Sequence, residues 1–269
     1  MIVATYNVNS INARLENLLT WLKNVKPDVV LLQEIKSEFE TFPFFELQSL
    51  GYYVKILGQK SYNGVAVLSK YKIKNVQEGL PDFEDSQSRY LEVWADVGGR
   101  DWCFASIYLP NGNPPYNNPD DDSKYDYKLQ WMDALILHAK SLLKKAVPCV
   151  LGGDFNVILS PKDVYDEKPF LSNALYRPEV KAKLRSLIYM GFYDAFRTLR
   201  PHTVGYTYWD YAGKAFQSDM GMRIDYLLLS PMAVDCLLTC DVDKTPRGMD
   251  KPSDHTPLLV ELRENGKED

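Results

Sequence analysis

The feature that most constrains the fold of this chain is the stretch 150–156, which reads Val-Leu-Gly-Gly-Asp-Phe-Asn. The apolar start predicts a buried strand that ends in a carboxylate and a carboxamide. Side chains at i and i+2 of an extended chain point the same way, so Asp154 and Asn156 are predicted to face one site while Phe155 turns into the packing. The two glycines are interpreted as room for a phosphate to approach the backbone.

Hydrophobic periodicity predicts an α/β protein. A β-α-β start followed by hairpins favours a mixed sheet, with sheet layers inside and helices outside, in one domain spanning residues 1–269 whose last few residues form a tail. Loop 110–122 is predicted to be a mobile surface loop. Extended segments are predicted at 2–9, 29–34, 52–57, 65–68, 73–78, 90–97, 102–108, 150–156, 203–209, 224–229 and 257–262, and helices at 15–26, 44–50, 123–145 and 178–190.

Composition indicates a cytoplasmic globular protein. Hydrophobic residues make up 45% of the chain and charged residues 25%, and no apolar run approaches the roughly 20 residues of a membrane span. The four cysteines lie in apolar segments without nearby histidines, which predicts buried free thiols. The net charge of -5 argues against binding nucleic acid by bulk charge alone, and leaves room for a local basic rim around an acidic metal site.

Polar residues end or interrupt the predicted strands, and their types indicate a cation site. Oxygen ligands with a single histidine suit Mg²⁺ or Mn²⁺ better than zinc. Asp254 is badly placed to orient its neighbour His255, because adjacent residues on an extended chain point to opposite faces. Asp225, inside its own apolar strand, is the better candidate for that role. The full set is Asn7, Glu34, Tyr108, Asp154, Asn156, Asp225, Asp254 and His255.

Six segments together resemble the exonuclease III family of bacterial abasic-site endonucleases. They are 32–34 (Leu-Gln-Glu), 62–66 (Tyr-Asn-Gly-Val-Ala), 108–112 (Tyr-Leu-Pro-Asn-Gly), 152–156, 223–226 (Arg-Ile-Asp-Tyr) and 251–257 (Lys-Pro-Ser-Asp-His-Thr-Pro). The chain has no G-x-S-x-G turn, Walker loop or G-x-G-x-x-G motif, which disfavours serine-hydrolase and nucleotide-fold readings. The resemblance implies a four-layer α/β/β/α sandwich of two mixed sheets flanked by helices, as in deoxyribonuclease I.

The resemblance also implies an activity and a metal site. The activity is Mg²⁺-dependent DNA repair: cleavage of the phosphodiester 5′ to abasic sites, with 3′ to 5′ exonuclease and 3′-end phosphodiesterase or phosphatase activity. Mn²⁺ is expected to substitute. Glu34 is the implied principal Mg²⁺ ligand, with Asn7 and Asp254 nearby, and Asp154 and Asn156 are further candidates.

The implied catalytic roles follow the same resemblance. Asp154 would take a proton from the attacking water, and Asn156 would hold that water or a phosphate oxygen. His255, oriented by Asp225, would donate to the scissile phosphate, and Tyr108 would help the leaving 3′ oxygen. Whether Asp154 or His255 is the base stays open at this point.

The implied partner is double-stranded DNA with abasic sites or blocked 3′ ends. The protein is expected to be a monomer and to have no membrane partner. Asn111 matches a DNA-backbone contact, and an apolar region that receives the extruded sugar comprises Tyr208, Trp209, Met222 and Ile224. Core packing is the alternative for Trp209. Met222 and Asp219 depart from the family pattern of tryptophan and asparagine. Phosphate contacts are assigned to Lys124, Lys128, Arg89, Arg177, Arg223 and Lys251, with a merely solvated face as the alternative.

Two other functions fit the same set of residues. One is a small-molecule phosphodiesterase of the same superfamily, against which the segments at 108–112 and 251–257 favour the DNA-repair branch. The other is a catalytically silent nucleic-acid-binding regulator. Keeping several acidic residues together without using them would cost electrostatic repulsion for no gain, which disfavours the second.

Overall fold

The computed structural model describes residues 1–264, and the predicted tail falls largely on residues 265–269, outside that range. Its strands form two six-stranded sheets. The strands are β1 (Ile2–Asn7), β2 (Val29–Gln33), β3 (Tyr53–Leu57), β4 (Val65–Ser69), β5 (Ile73–Glu78), β6 (Tyr90–Val97), β7 (Arg100–Tyr108), β8 (Cys149–Asp154), β9 (Tyr193–Asp194), β10 (Asp225–Leu229), β11 (Leu237–Val242) and β12 (Leu258–Leu262). The helices are α1 (Leu15–Val25), α2 (Phe44–Gln48), α3 (Ser123–Lys144), α4 (Pro178–Tyr189), α5 (Ala195–Leu199) and α6 (Pro231–Val234).

Both sheets are mixed. The first has the order β11-β12-β1-β2-β4-β3 and the second β5-β6-β7-β8-β10-β9. The parallel pairs are β1 with β2 and β7 with β8. A parallel pair needs a crossover connection, and α1 and α3 are the helices in these two crossovers. The prediction of mixed sheets is confirmed.

Apolar side chains pack in three layers, which gives the order helix, sheet, sheet, helix. Trp21 of α1 packs with Leu32 on the outer face of the first sheet. Val3 and Val150 belong to the core between the sheets, and Trp131 of α3 packs on the outer face of the second sheet. Burial of each large side chain contributes roughly 1.5–3 kcal/mol. The four-layer prediction is confirmed.

Strand alternation decides which polar side chains point into the space between the sheets. Val150 of β8 lies in the core between the sheets, whereas Phe155 lies in the core under α3. Because side chains alternate along a strand, Asp154 shares the face of Val150. Leu227 of β10 also lies between the sheets, so Asp225 points the same way. Both carboxylates therefore enter the crevice between the sheets, at one end of it.

The two glycines before Asp154 serve packing, so their interpretation as a phosphate approach is wrong. A Cβ on Gly152 would lie 2.6 Å from side-chain carbons of both Leu31 and Leu227. A Cβ on Gly153 would lie 1.8 Å from the carbonyl oxygen of Ile107 on the neighbouring strand. The absent side chains let the sheets meet closely and let β7 lie against β8.

The sequence prediction lacks β9, β11, α5 and α6, and it contains one strand that the structure does not have within residues 1–264. Segment 203–209 is not a strand; Tyr208 alone makes bridges, to Met222 and to His255. Strand β11 was not predicted, because it is an edge strand with a bulge and an exposed Leu238, which weakens the alternating apolar signal. The two bridges at Tyr208 bring Met222 and His255 to the same part of the molecule.

The predicted state of the cysteines is confirmed: Cys103, Cys149, Cys236 and Cys240 are buried free thiols. Within residues 1–264, the helices are too short or too polar to cross a membrane.

Glu92 links α3 to the second sheet through a buried polar cluster. Its Oε2 accepts a hydrogen bond from the Tyr90 hydroxyl at 2.6 Å and lies 2.7 Å from His138 Nε2, and its Oε1 accepts from Trp94 Nε1 at 2.7 Å. Burial acts to raise the pKa of Glu92, but the hydrogen bonds from His138, Tyr90 and Trp94 outweigh it and hold the pKa below its ordinary value. The cluster therefore stabilises the carboxylate form.

We expect Glu92→Gln to lower the free energy of unfolding by about 3 kcal/mol at pH 7, because it leaves buried partners unsatisfied. A carboxyl whose pKa is depressed by folding adds stability above its unfolded pKa, and that stability is lost as pH falls through the folded pKa. Urea unfolding of both proteins between pH 3 and pH 8 checks this. A difference that stayed constant down to the lowest pH would contradict it.

Candidate active site

Four strand ends bring the predicted polar residues to one end of the crevice between the sheets. Asn7 ends β1 and Glu34 follows β2 in the first sheet, while Asp154 ends β8 and Asp225 begins β10 in the second. Asp154 and Asp225 are opposite each other in the β8–β10 ladder. The Asn7 amide joins the sheets, donating to Glu34 Oε1 at 2.8 Å and to Asp154 Oδ2 at 3.0 Å.

His255 lies buried between two carboxylates. Its Nδ1 is 2.9 Å from Asp225 Oδ2, and its Nε2 is 3.6 Å from Asp154 Oδ2. The contact between Asp225 and His255 is the one predicted from the sequence. Burial alone would lower the pKa of His255, but the charges of Asp225 and Asp154 outweigh it and raise the pKa to about 10. The ring is therefore held as an imidazolium, with an N–H directed at Asp154.

The acidic residues of the site differ in their ease of ionisation. Burial raises the pKa of Asp154 to about 7; His255 opposes this rise, whereas Asp225 and Glu34 add to it. Burial also acts to raise the pKa of Glu34, but the Lys36 ammonium and the Asn7 amide outweigh it and place that pKa below the usual value. Glu34 is thus the more permanent anion, and Asp154 is the group with a proton affinity suited to a base.

The donor set fits a divalent cation. Ligand atoms of Glu34, Asp154 and His255 lie within 4.8 Å of one another. A protonated imidazole ring has no free lone pair, so the two carboxylates are the ligands that this group offers. The Lys36 ammonium lies 2.9 Å from Glu34 Oε2, so this carboxylate already has one positively charged neighbour.

Asparagines form the wall opposite the carboxylates. The backbone N–H of Asn156 donates to Asp154 Oδ1 at 2.9 Å, and its side-chain amide donates to the Leu109 carbonyl at 2.9 Å. Its Oδ1 accepts from the Asn111 amide at 3.2 Å. Asn111 and Asn156 therefore form a hydrogen-bonded polar pair beside Asp154.

The site opens into a cavity of about 530 Å³ that is lined by polar and apolar side chains. Tyr208, Met222 and Ile224 line it with Tyr165, Phe170 and Leu175, and the acidic side carries Glu34, Tyr108, Asp154, Asp254 and His255. Burial and the charges of Glu34 and Asp154 raise the pKa of Tyr108 well above its ordinary value, so its hydroxyl stays protonated. The cavity therefore places apolar side chains directly beside the acidic residues, with Tyr208 packed edge-on against the His255 ring at 5.0 Å.

Residues 4–255 match the model of the endonuclease/exonuclease/phosphatase family. Exodeoxyribonuclease III of Haemophilus influenzae is 31% identical over 268 residues, covering 96% of this chain and 98% of that protein. The chain belongs to the exonuclease III and AP endonuclease family. Two solved structures agree: the 3′ phosphatase NExo from Neisseria bound to product DNA hairpin (TM-score 0.91, 32% identity, covering 98% and 99% of the two chains) and an AP endonuclease from Archaeoglobus fulgidus (0.90, 32%, 97% and 99%).

Three of the residues assigned to DNA contact in this exonuclease III family member are buried instead. Lys128 and Arg223 are both 0% exposed. Arg223 pairs with Asp163 at 2.7 Å and Asp194 at 2.8 Å. Trp209, also 0% exposed, packs in a cluster away from the cavity lining. The predictions of direct contact are corrected for all three, because a side chain without exposed atoms cannot reach a phosphate or a sugar.

Lys128 is buried at the base of the asparagine wall. Its Nζ donates to the backbone carbonyls of Asn111 at 2.9 Å, Asn156 at 2.6 Å and Ala174 at 3.2 Å. Burial lowers the pKa of its ammonium group to about 7, and the charge of Asp154 acts in the opposite direction.

Two departures from the predicted ligand set are visible. Asp254 lines the cavity but lies outside the group formed by Glu34, Asp154 and His255; its Oδ1 accepts from the Asn9 amide at 3.1 Å. Asn7 presents its amide N–H groups to the carboxylates, and its Oδ1 accepts from the backbone of Asn9. Asp254 therefore supports the rim of the site, and Asn7 acts as a bridge between its carboxylates.

The other predicted cavity residues lie where expected, and Met222 is one of the apolar side chains that line the cavity. Asp219 is outside the cavity lining: its Oδ1 accepts from Trp209 Nε1 at 3.1 Å and pairs with Lys244 at 3.0 Å. Its negative charge is thus neutralised on the far side of Trp209, and the cavity itself gains no acidic side chain from this substitution.

The sequence prediction missed Lys36; for Arg89 the structure shows a structural role beside the phosphate contact, which stays a prediction. The Lys36 ammonium forms an ion pair with Glu34 and donates a hydrogen bond to Asn9 Oδ1 at 2.6 Å. In the sequence, its position two residues after Glu34 is the one feature that could have indicated this role. Arg89 was assigned to phosphate contact. Its guanidinium lies 4.8 Å from the centre of the Tyr108 ring and donates to the Tyr108 carbonyl at 3.2 Å. Arg89 therefore fixes the strand end that carries Tyr108.

Proposed function

We propose that this protein is a Mg²⁺-dependent DNA repair nuclease that cleaves the phosphodiester 5′ to abasic sites and removes nucleotides and blocking groups from 3′ ends. The observation that carries the proposal is the buried His255 ring between the Asp225 and Asp154 carboxylates, with Glu34 and a cavity lined partly by apolar side chains beside it. We also propose that residues 1–269 act as one catalytic domain and as a monomer.

In this mechanism Asp154 is the base, because its raised pKa gives it affinity for a proton while His255 is already protonated. Asp154 takes a proton from water, and the water oxygen attacks phosphorus in line with the leaving 3′ oxygen. His255 donates its Nε2–H to the phosphate as negative charge builds up there. Asn156 holds a phosphate oxygen, and the protonated Tyr108 donates to the 3′ oxygen as its bond to phosphorus breaks.

Glu34, with Asp154 beside it, would hold the divalent cation. When bound, Mg²⁺ supplies positive charge that neutralises the phosphate and the leaving oxygen. The chain itself contributes the acid, the base and the orientation of the phosphate. Because the cation neutralises charge in the reaction and the fold is held by the apolar cores, removal of the metal is expected to stop cleavage without unfolding the protein.

The substrate preference follows from the side chains that line the cavity. The apolar group of Tyr208, Met222 and Ile224 suits a deoxyribose without its base, whose extrusion from the helix costs little because no base unstacks. Asn111 lies at the mouth, where a DNA backbone would pass. Double-stranded DNA with an abasic site or a blocked 3′ end is therefore the proposed partner.

The test is cleavage of a labelled duplex carrying one abasic-site analogue, beside the same duplex without it, with Mg²⁺, with Mn²⁺ and with excess chelator. We expect a metal-dependent cut on the 5′ side of the lesion and a ladder from the 3′ end. Cleavage of neither duplex would contradict the proposal. Activity on small phosphodiesters would then support the small-molecule alternative, and DNA binding alone would support the silent regulator.

A further inference from the structure

We propose that Lys128 is a positioning residue for the cleavage reaction, holding Asn111 and Asn156 in place through their backbone carbonyls. The inference rests on the proposed nuclease function and assigns a role to a buried cation that the mechanism above does not use. Lys128 touches neither the base nor the site of the phosphate, so its effect passes through the two asparagines.

The three hydrogen bonds of Lys128 join three separate segments. Asn111 follows β7, Asn156 follows β8, and Ala174 lies before α4. An ammonium group has three N–H donors and no acceptor, and here three carbonyls receive them. A neutral amine would leave one carbonyl without a donor. The acceptor set therefore favours the charged form, and it is the charged form that ties all three segments together.

The burial of this cation indicates that its hydrogen bonds are needed. Lys128 is 0% exposed and forms no ion pair with any of the residues 1–264 that the structure describes. A buried charge is costly unless its donors are all satisfied. A Cβ on Gly112, whose φ is +82°, would lie 2.7 Å from Lys128 Cδ, so the lysine stem packs directly beneath the turn that carries Asn111.

The asparagines depend on each other for their orientation. Asn156 has a φ of 48°, outside the strand region, and its Oδ1 accepts from the Asn111 amide at 3.2 Å. This contact requires the two backbones to be held at a fixed separation, and Lys128 bonds to both carbonyls. Loss of the ammonium group is expected to shift the Asn156 backbone, and with it the side-chain contact to Asn111 and the backbone N–H that donates to Asp154.

The test compares Lys128→Met with Lys140→Met, the same change at an exposed position on the same helix. On the abasic duplex, Lys128→Met is expected to lower kcat about 100-fold, the order of loss that small misplacement of catalytic groups produces, and to change KM by less than about threefold. Lys140→Met should match wild type. Lys128→Arg keeps the positive charge but has a different donor geometry, and its kcat should be about tenfold below wild type. This variant replaces Lys128→Met in the comparison if the methionine variant does not fold.

A double-mutant cycle separates positioning from general stability. If Lys128 acts through Asn156, adding Lys128→Met to Asn156→Ala should cost less than about threefold further in kcat. Two losses that multiply in full would overturn the inference, as would wild-type kcat in both Lys128 variants. A crystal structure of Lys128→Met should also show the bond between Asn111 and Asn156 broken. An intact hydrogen bond between Asn111 and Asn156 in this variant would overturn the inference. That structural test does not depend on activity. If the wild-type protein cut no DNA, only the proposed nuclease function would be contradicted.

Discussion

Asp154→Asn is expected to abolish measurable cleavage of an abasic duplex, with kcat at least about 1000-fold below wild type, because the substitution removes the proposed base. An amide cannot take a proton from water. It also places an N–H₂ group opposite the Asn7 amide or the Asn156 backbone N–H, each of which now donates to Asp154. Steady-state cleavage with saturating Mg²⁺ gives kcat, and fluorescence anisotropy with chelator present gives the affinity for duplex DNA.

Duplex binding should stay measurable in this variant, since the negative charge of Asp154 opposes the DNA backbone rather than attracting it. Asp126→Asn, an exposed position on α3, is the matched control and should cleave like wild type. Cleavage by Asp154→Asn at near the wild-type rate would show that another group is the base.

Asp225→Asn should lower kcat by about 100-fold or more, because it removes the carboxylate that holds His255 as a proton donor. Burial alone would lower the pKa of His255, and Asp225 contributes the largest opposing charge. With a neutral residue at 225, the pKa of His255 is expected to fall well below its wild-type value. The imidazolium would then lose its proton as pH rises through a lower range than in wild type.

Titration of the His255 ring by NMR in the metal-free protein measures this shift directly. In wild type the ring should stay protonated to about pH 10, and in Asp225→Asn it should deprotonate at lower pH. The ratio of the variant kcat to the wild-type kcat at the same pH should also fall as pH rises through this lower range, since Asp154 titrates in both proteins. An unchanged His255 titration would mean that Asp225 does not set the charge of the ring.

The sequence by itself determined most of the buried strands and the direction of the side chains within them. Asp154 and Asn156 line one cavity and Phe155 lies in the packing, as the sequence predicted. The strand itself ends at Asp154, and Asn156 has a φ of 48°, so a turn rather than residue period two brings Asn156 to the site. The improbability of an unpaired carboxylate in an apolar strand identified Asp225 as the partner of His255. The first inference depends only on a few neighbouring residues. The second depends on the cost of an unpaired carboxylate, which applies wherever a strand is buried.

The tertiary structure alone decided what the long charged and aromatic side chains contact. The sequence shows a lysine at 128 and an arginine at 223, and both types usually lie on the surface. Here the partners of Lys128 lie 17, 28 and 46 residues away, and those of Arg223 lie 60 and 29 residues away. Local pattern carries no information on such distances, since the contacts form only after separate loops close over the same side chain.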